Sequence, residues 1–145
     1  MKTVAELTDA FRGAGLRVTP QRQAIFGLLQ GNLEHPTVES LHEAASAELP
    51  AISLKTVYQT VHDLEAMGEV ALLDVGTGSV RVDPNVESPH HHLICTRCHK
   101  VRDVFVDVGE LLLDAGTHPG FTVEGVAVHF RGVCAECAES APRRS

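Results

Sequence analysis

The chain lacks tryptophan, long apolar runs and an ample supply of basic side chains, and the last two shortages each remove a class of protein. Its apolar stretches are no longer than a few residues, such as Leu111-Leu112-Leu113. A helix that crosses a bilayer needs about 20 apolar residues in succession, so a membrane span is excluded. The opening segment MKTVAELTDAF carries Glu6 and Asp9 where a secretory signal requires unbroken apolar residues. No export signal is visible, and a cytoplasmic, thiol-reducing setting is expected. Lys2, Arg12, Arg17, Arg22 and Lys55 are the only basic side chains before residue 76, against twice as many carboxylates, and the formal net charge is −7. That balance argues against crude electrostatic attachment to nucleic acid but does not forbid specific contact. Such contact has to rest on locally clustered Arg and Lys, on dimerisation and on acidic sites neutralised by bound cations.

Cysteine is also scarce, yet all four residues fall in two Cys-x-x-Cys pairs, Cys95/Cys98 and Cys134/Cys137. Each pair lets a tight knuckle present two thiolates to one ion, and two knuckles supply the four soft ligands of a tetrahedral zinc site. Two disulfides or four buried thiols are the alternatives, and a reducing compartment disfavours them. Four thiolates close the coordination sphere, so the zinc is expected to be structural. With 145 residues the chain admits one ordinary domain or two small ones. Two are expected, the C-terminal half leaning on metal because its apolar core is thin.

The N-terminal half reads as capped helices. Thr3 and Glu6 fit a capping box ahead of Leu7, Ala10, Phe11 and Ala14, with Gly13 and Gly15 as the stop. Thr19-Pro20 starts a second helix whose inward face is Ile25, Leu28 and Leu29. Thr37 starts a third, with Leu41, Ala44 and Ala45, ending near Pro50. Ser53 starts a fourth, SLKTVYQTVHDLEAMG, with Val57, Val61 and Leu64 on one stripe and Gly68 at its end. Two β-like runs follow, 69–74 and 79–83, around Gly76-Thr77-Gly78. Helices followed by a hairpin make a winged helix-turn-helix, in which the fourth helix enters a major groove and the wing touches the backbone. The candidate DNA contacts are Arg17, Gln21, Arg22, Ser53, Lys55, Thr56, Tyr58 and Gln59. An amphipathic surface helix that binds nothing shows the same pattern, so periodicity alone does not decide.

The segment 84–89, PNVESP, reads as a hinge between domains. Beyond it the period changes. Strands are expected at 92–95, 101–106 and 121–130, and a helix at 108–115. This gives an α+β chain: a winged-helix domain over 1–83, a hinge over 84–89, a small α/β domain over 90–140 and a disordered tail over 141–145. If 90–95 is a strand, His90 and His92 share a face and His91 points to the other. Two imidazoles on one face form a chelating pair. Asp83 and Asp103 lie near in sequence, and His35 sits ahead of the third helix. Imidazoles with carboxylates suit ferrous iron or manganese and accept zinc or nickel, although an exposed, solvated histidine cluster is the other reading. A catalytic zinc would need an open position and a general base, and neither His-Glu-x-x-His nor His-x-Glu is present, so no enzyme is expected.

Along nearly its whole length the chain resembles the ferric uptake regulator superfamily of metal-dependent bacterial repressors. The matching stretches are LRVTPQRQAIF, HPTVESLH, ISLKTVYQTVHDLEAMGEV, HHHLICTRCHKVRDV and GVCAEC, in family order. The resemblance implies a winged-helix DNA-binding domain, an α/β dimerisation domain, a four-cysteine structural zinc and a regulatory metal at the hinge. It also implies a homodimer on a double-stranded, AT-rich palindromic operator. The regulatory ligands would be His35, Asp83, His90, His92 and Asp103. Aspartate at 103 resembles the peroxide-sensing branch, in which ferrous iron reacts with peroxide and a ligand histidine, here His35 or His90, is oxidised. Iron sensors usually carry glutamate there, zinc sensors usually add a cysteine ligand, and manganese-uptake regulators share much of the pattern. The expected function is thus a repressor using Fe(II) or Mn(II), responsive to peroxide or, alternatively, an iron- or manganese-uptake regulator without that response. A further family site uses a histidine in the last strand where this chain has Val126, with Glu110 and His91 as its remaining candidates and His129 poorly aligned with it.

Overall fold

The computed structural model describes residues 1–109 and 118–140. The chain divides into two compact units, Met1–Ser88 and Pro89–Ser145. In the first, every helix opens on a hydroxyl. Helix α1 (Val4–Gly13) closes the capping box, with Thr3 and Glu6 each accepting from the other's backbone N–H. Helices α2 (Pro20–Leu29), α3 (Val38–Glu48) and α4 (Leu54–Ala66) begin on Thr19, Thr37 and Ser53, whose side-chain oxygens accept from Arg22, Ser40 and Thr56 N–H. Such caps satisfy one of the orphan N–H groups at a helix start and are worth about 1 kcal/mol each.

Glycine ends two of these helices for a physical reason. Gly15 and Gly68 both sit in the left-handed region, at φ 73 and 71. After α4, Gly68 N–H reaches Glu65 O and Glu69 N–H reaches Leu64 O, both at 2.9 Å. That paired closure needs a residue with no side chain to clash. It also explains why the first wing strand starts later than its apolar pattern suggests. Glu69 N–H is spent on α4, so β1 runs Ala71–Asp74 and pairs antiparallel with β2 (Val80–Asp83), Ala71 facing Asp83. Between them Asp74 Oδ1 accepts Gly76 N–H at 2.8 Å.

The four helices and the hairpin enclose one core. Leu7, Phe11, Ile25, Phe26, Leu29, Val57, Val61, Leu64 and Val82 are wholly or almost wholly buried, and Phe11 meets Phe26 edge-on at 4.8 Å. Burying each such side chain contributes about 1.5–3 kcal/mol.

In the second unit, β3 (His91–Cys95) lies between β4 (Val101–Val104), antiparallel, and β5 (His129–Gly132), parallel. Two expectations are corrected. The strand at 101–106 stops at Val104 because His91, the first residue of β3, is its partner there. No strand forms over 121–128; the ladder begins at His129, opposite His92. Residues 121–127 alternate as a strand should but are exposed, and among the described residues no strand lies beside them. The sequence also concealed α5 (Ala135–Glu139), a short helix that is capped at Cys134 and carries Cys137. The expected helix at 108–115, from residue 110 on, and the tail at 141–145 lie outside the described residues. Among the described residues of this unit the buried apolar side chains are only Ile94, Cys95 and Val101.

Candidate metal centres and nucleic-acid face

The four cysteines are brought together by short local devices. Cys95 ends β3, and the chain turns back at once: His99 N–H donates to Cys95 O, and Cys95 N–H to Lys100 O, both at 2.9 Å. His99 takes φ 61 to close this knuckle. Thr96 N–H bonds Gly132 O at 2.8 Å, tying the first knuckle to the strand that leads into the second. Lys100 Nζ then pairs with Glu136 in α5 at 2.6 Å. No disulfide joins the cysteines; their four sulfurs lie within 4.8 Å of one another, and Cys98 Sγ is 3.7 Å from Cys134 Sγ. Zinc–sulfur bonds of about 2.3 Å in a tetrahedron set sulfur atoms about 3.8 Å apart, so the donor set fits zinc. Backbone N–H groups of Cys98, Cys134 and Arg97 converge on Cys95 and lower its thiol pKa from 9 to about 5, whereas Cys137, bonded to the sulfurs of Cys134 and Cys98, is pushed up to about 12. A bound cation would favour thiolate at every corner.

The second donor group of this unit lies on adjacent strands. Register places His92 opposite Asp103. Asp103 Oδ1 is 3.3 Å from His90 Nε2 and 3.7 Å from His92 Nε2, and the two imidazole Nε2 atoms are 3.2 Å apart. Bonds near 2.1 Å to one ion separate neighbouring ligand atoms by about 3.0 Å in an octahedron and about 3.4 Å in a tetrahedron, so this trio has the dimensions of a metal face. His129, set aside in the sequence, stands against His92 with ring centroids 5.9 Å apart. Burial, then His92 and Arg131, lower its pKa. His91 faces elsewhere, into a shallow recess with Asp107 and Val126. Val126 offers no ligand there, and Glu110 lies outside the described residues.

In the first unit the loop before α3 sets His35 beside the end of β2, and His35 Nε2 is 3.6 Å from Asp83 Oδ1 with both side chains buried. The ring's other nitrogen, Nδ1, lies 3.1 Å from Leu33 O. The five sequence-derived regulatory ligands therefore form a pair in one unit and a trio in the other.

The expected nucleic-acid residues separate into groups. Arg17, Gln21, Arg22, Lys55, Thr56 and Gln59 line one recess near the starts of α2 and α4, where the positive ends of two helix dipoles favour an anion. Arg22 is already engaged: its Nη2 is 2.8 Å from Asp63 Oδ2, and its guanidinium lies over the Phe11 ring at 5.4 Å. Gln59 also donates to Asp63, at 3.0 Å. Ser53 Oγ is spent on the α4 cap. Tyr58 donates to Glu39 Oε1 at 2.8 Å, and that bond raises its pKa. Asp63 and Glu39, which sequence reasoning missed, thus restrain three candidate contact side chains, Arg22, Gln59 and Tyr58; nothing in their spacing marked them.

The sequence profile described as the ferric uptake regulator family matches residues 13–131. The peroxide-responsive repressor PerR of Staphylococcus aureus is 35% identical over 135 residues, spanning 92% of this chain and 90% of the relative. A zinc-bound manganese uptake regulator has a similar structure, with TM-score 0.69 and 29% identity over 92% of this chain and 99% of that one. The Helicobacter pylori ferric uptake regulator, whose structure was described as revealing three functional metal-binding sites, superposes with TM-score 0.72 over 98% of this chain and 100% of its own, at 18% identity, which speaks to fold alone. With a winged-helix unit, a four-cysteine knuckle and a profile match over most of its length, the chain belongs to the ferric uptake regulator family.

Proposed function

We propose that this protein is a metal-dependent, DNA-binding transcriptional repressor that responds to peroxide, a regulator rather than an enzyme, working as a homodimer in the cytoplasm. The observation that carries the reading is the trio of His90, His92 and Asp103, a nitrogen and oxygen face of intermediate hardness suited to Fe(II) or Mn(II). In this reading one ion completes its shell with His35 and Asp83 from the winged-helix unit. The residues then act as a latch. Ligands from two units bind one ion only in the conformer that gathers them, so occupancy shifts the population toward that conformer and fixes the spacing of two recognition helices. Zinc at the cysteines keeps β3, and with it His92, in register. Ferrous iron, when bound, would supply the redox chemistry toward peroxide, and His35 or His90 would be the side chain oxidised. Dimerisation through the second unit is supported by its exposed apolar side chains, including Leu93, Phe105 and Phe130. Aspartate at 103 and the likeness to a peroxide-responsive repressor favour peroxide sensing. The likeness to a manganese uptake regulator supports a second reading, metal-responsive repression without it.

The test is retardation of a palindromic, AT-rich promoter fragment by the zinc-loaded protein. Binding is expected only with Fe(II) or Mn(II) and should be lost on His90→Ala with zinc retained. Binding that ignores both the metal and the substitution would reject the reading.

A further inference from the structure

The geometry points to Arg81 as the positioning residue that holds His35 ready for metal, an inference that rests on the regulatory site proposed above. His35 sits at φ 50, a region that few residues other than glycine adopt. The proline that follows restricts it further. Such a backbone persists only where its surroundings hold it. Strand β2 supplies that hold: its main chain reaches the loop through Val82 N–H, which donates to Pro36 O at 2.8 Å, and through an isolated antiparallel bridge between Arg81 and Thr37, while the Arg81 side chain alone reaches His35 itself, its Nη1 donating to His35 O at 3.2 Å. The segment His35-Pro36-Thr37 is thus laid against the wing strand that ends at Asp83, its proposed co-ligand.

The ring is set by a different contact. With Nδ1 as the N–H donor to Leu33 O at 3.1 Å, Nε2 carries the lone pair, and it is Nε2 that faces Asp83. Leu33 therefore fixes the tautomer, while Arg81 fixes the backbone from which the ring projects. The bond is made from Nη1 at the end of the guanidinium, a reach and direction that the lysine ammonium does not reproduce. Because Arg81 belongs to the wing, the same contact joins the wing hairpin to the metal-binding loop.

The experiment compares Arg81→Gln and Arg81→Lys with the parent and with His35→Ala, all as full-length, zinc-loaded protein. Mn(II) binding is followed by loss of the free-ion electron paramagnetic resonance signal, zinc content and melting are recorded, and the His35 ring resonances are read by NMR before Mn(II) is added. We expect Arg81→Gln to weaken Mn(II) binding about 10–100-fold, as loss of an outer-shell partner does. Zinc should be retained, the His35 resonances should shift, and promoter binding should recover at saturating Mn(II). Arg81→Lys, which keeps the charge, should shift the same resonances and covers the case in which the glutamine variant does not fold. Mn(II) affinity equal to the parent's while His35→Ala weakens it, or unmoved His35 resonances, would overturn the inference and leave the regulatory site standing. Promoter binding that stays weak at saturating Mn(II), with Mn(II) affinity unchanged, would make Arg81 a phosphate contact and overturn it as well. Mn(II) affinity indifferent to His35→Ala would remove the regulatory reading together with Arg81's part in it.

Discussion

Asp103 faces two imidazoles at 3.3 and 3.7 Å, so one methylene more or less in its side chain moves a ligand oxygen by more than the tolerance of a metal shell. Asp103→Glu should keep Mn(II)-dependent promoter binding and make the iron form more resistant to peroxide. Comparing the mass gained by the His35 and His90 peptides after peroxide checks this; oxidation equal to the parent's would show that the carboxylate does not select the signal. The cysteines carry a pH prediction. The Cys95 thiol is depressed to about 5 by backbone donors, and a depressed pKa contributes stability above the unfolded thiol's range and loses it as pH falls through the folded value. Protons compete with zinc for the four thiolates, so zinc release followed with a chromogenic chelator should rise as pH is lowered. Zinc release that does not depend on pH would contradict thiolate ligation.

At the scale of elements, Phe11 joins α1 to α2 through Phe26 and also carries the Arg22 guanidinium. Phe11→Ala should cost about 3–5 kcal/mol of stability, as large-to-small core changes do. The loss should appear in melting of the winged-helix unit while zinc content stays constant; parallel loss of zinc would mean that the two units do not fold separately. The helices were legible because each opens on a hydroxyl cap and two close on a left-handed glycine, all local signals. The stretch 121–128 misled because alternation shows which residues can pair and says nothing about whether a partner strand is present. Helix α5 spans too few residues for any period. The cysteine knuckles and the His90/His92 pair were readable from spacing. His35 and Asp83 are 48 positions apart, and only resemblance to a family suggested them together. Arg22, read as a DNA contact, proves to be held by Asp63 at 2.8 Å, a tertiary fact that no spacing encodes.

For the molecule as a whole, two classes of donor imply two classes of metal. The closed set of four sulfurs should retain zinc against chelators that strip the nitrogen and oxygen ligands. Brief treatment with EDTA is thus expected to abolish promoter binding and leave about one zinc per chain by elemental analysis; simultaneous loss of zinc would merge the two roles. The central claim is that the nitrogen and oxygen site couples metal occupancy and peroxide to DNA binding. Its most direct test is promoter retardation by the Fe(II)-loaded and Mn(II)-loaded protein before and after peroxide, with the products weighed by mass spectrometry. The expected result is release of DNA by the iron form alone, with one oxygen added at His35 or His90. Equal resistance of both forms, with no added oxygen, would contradict it.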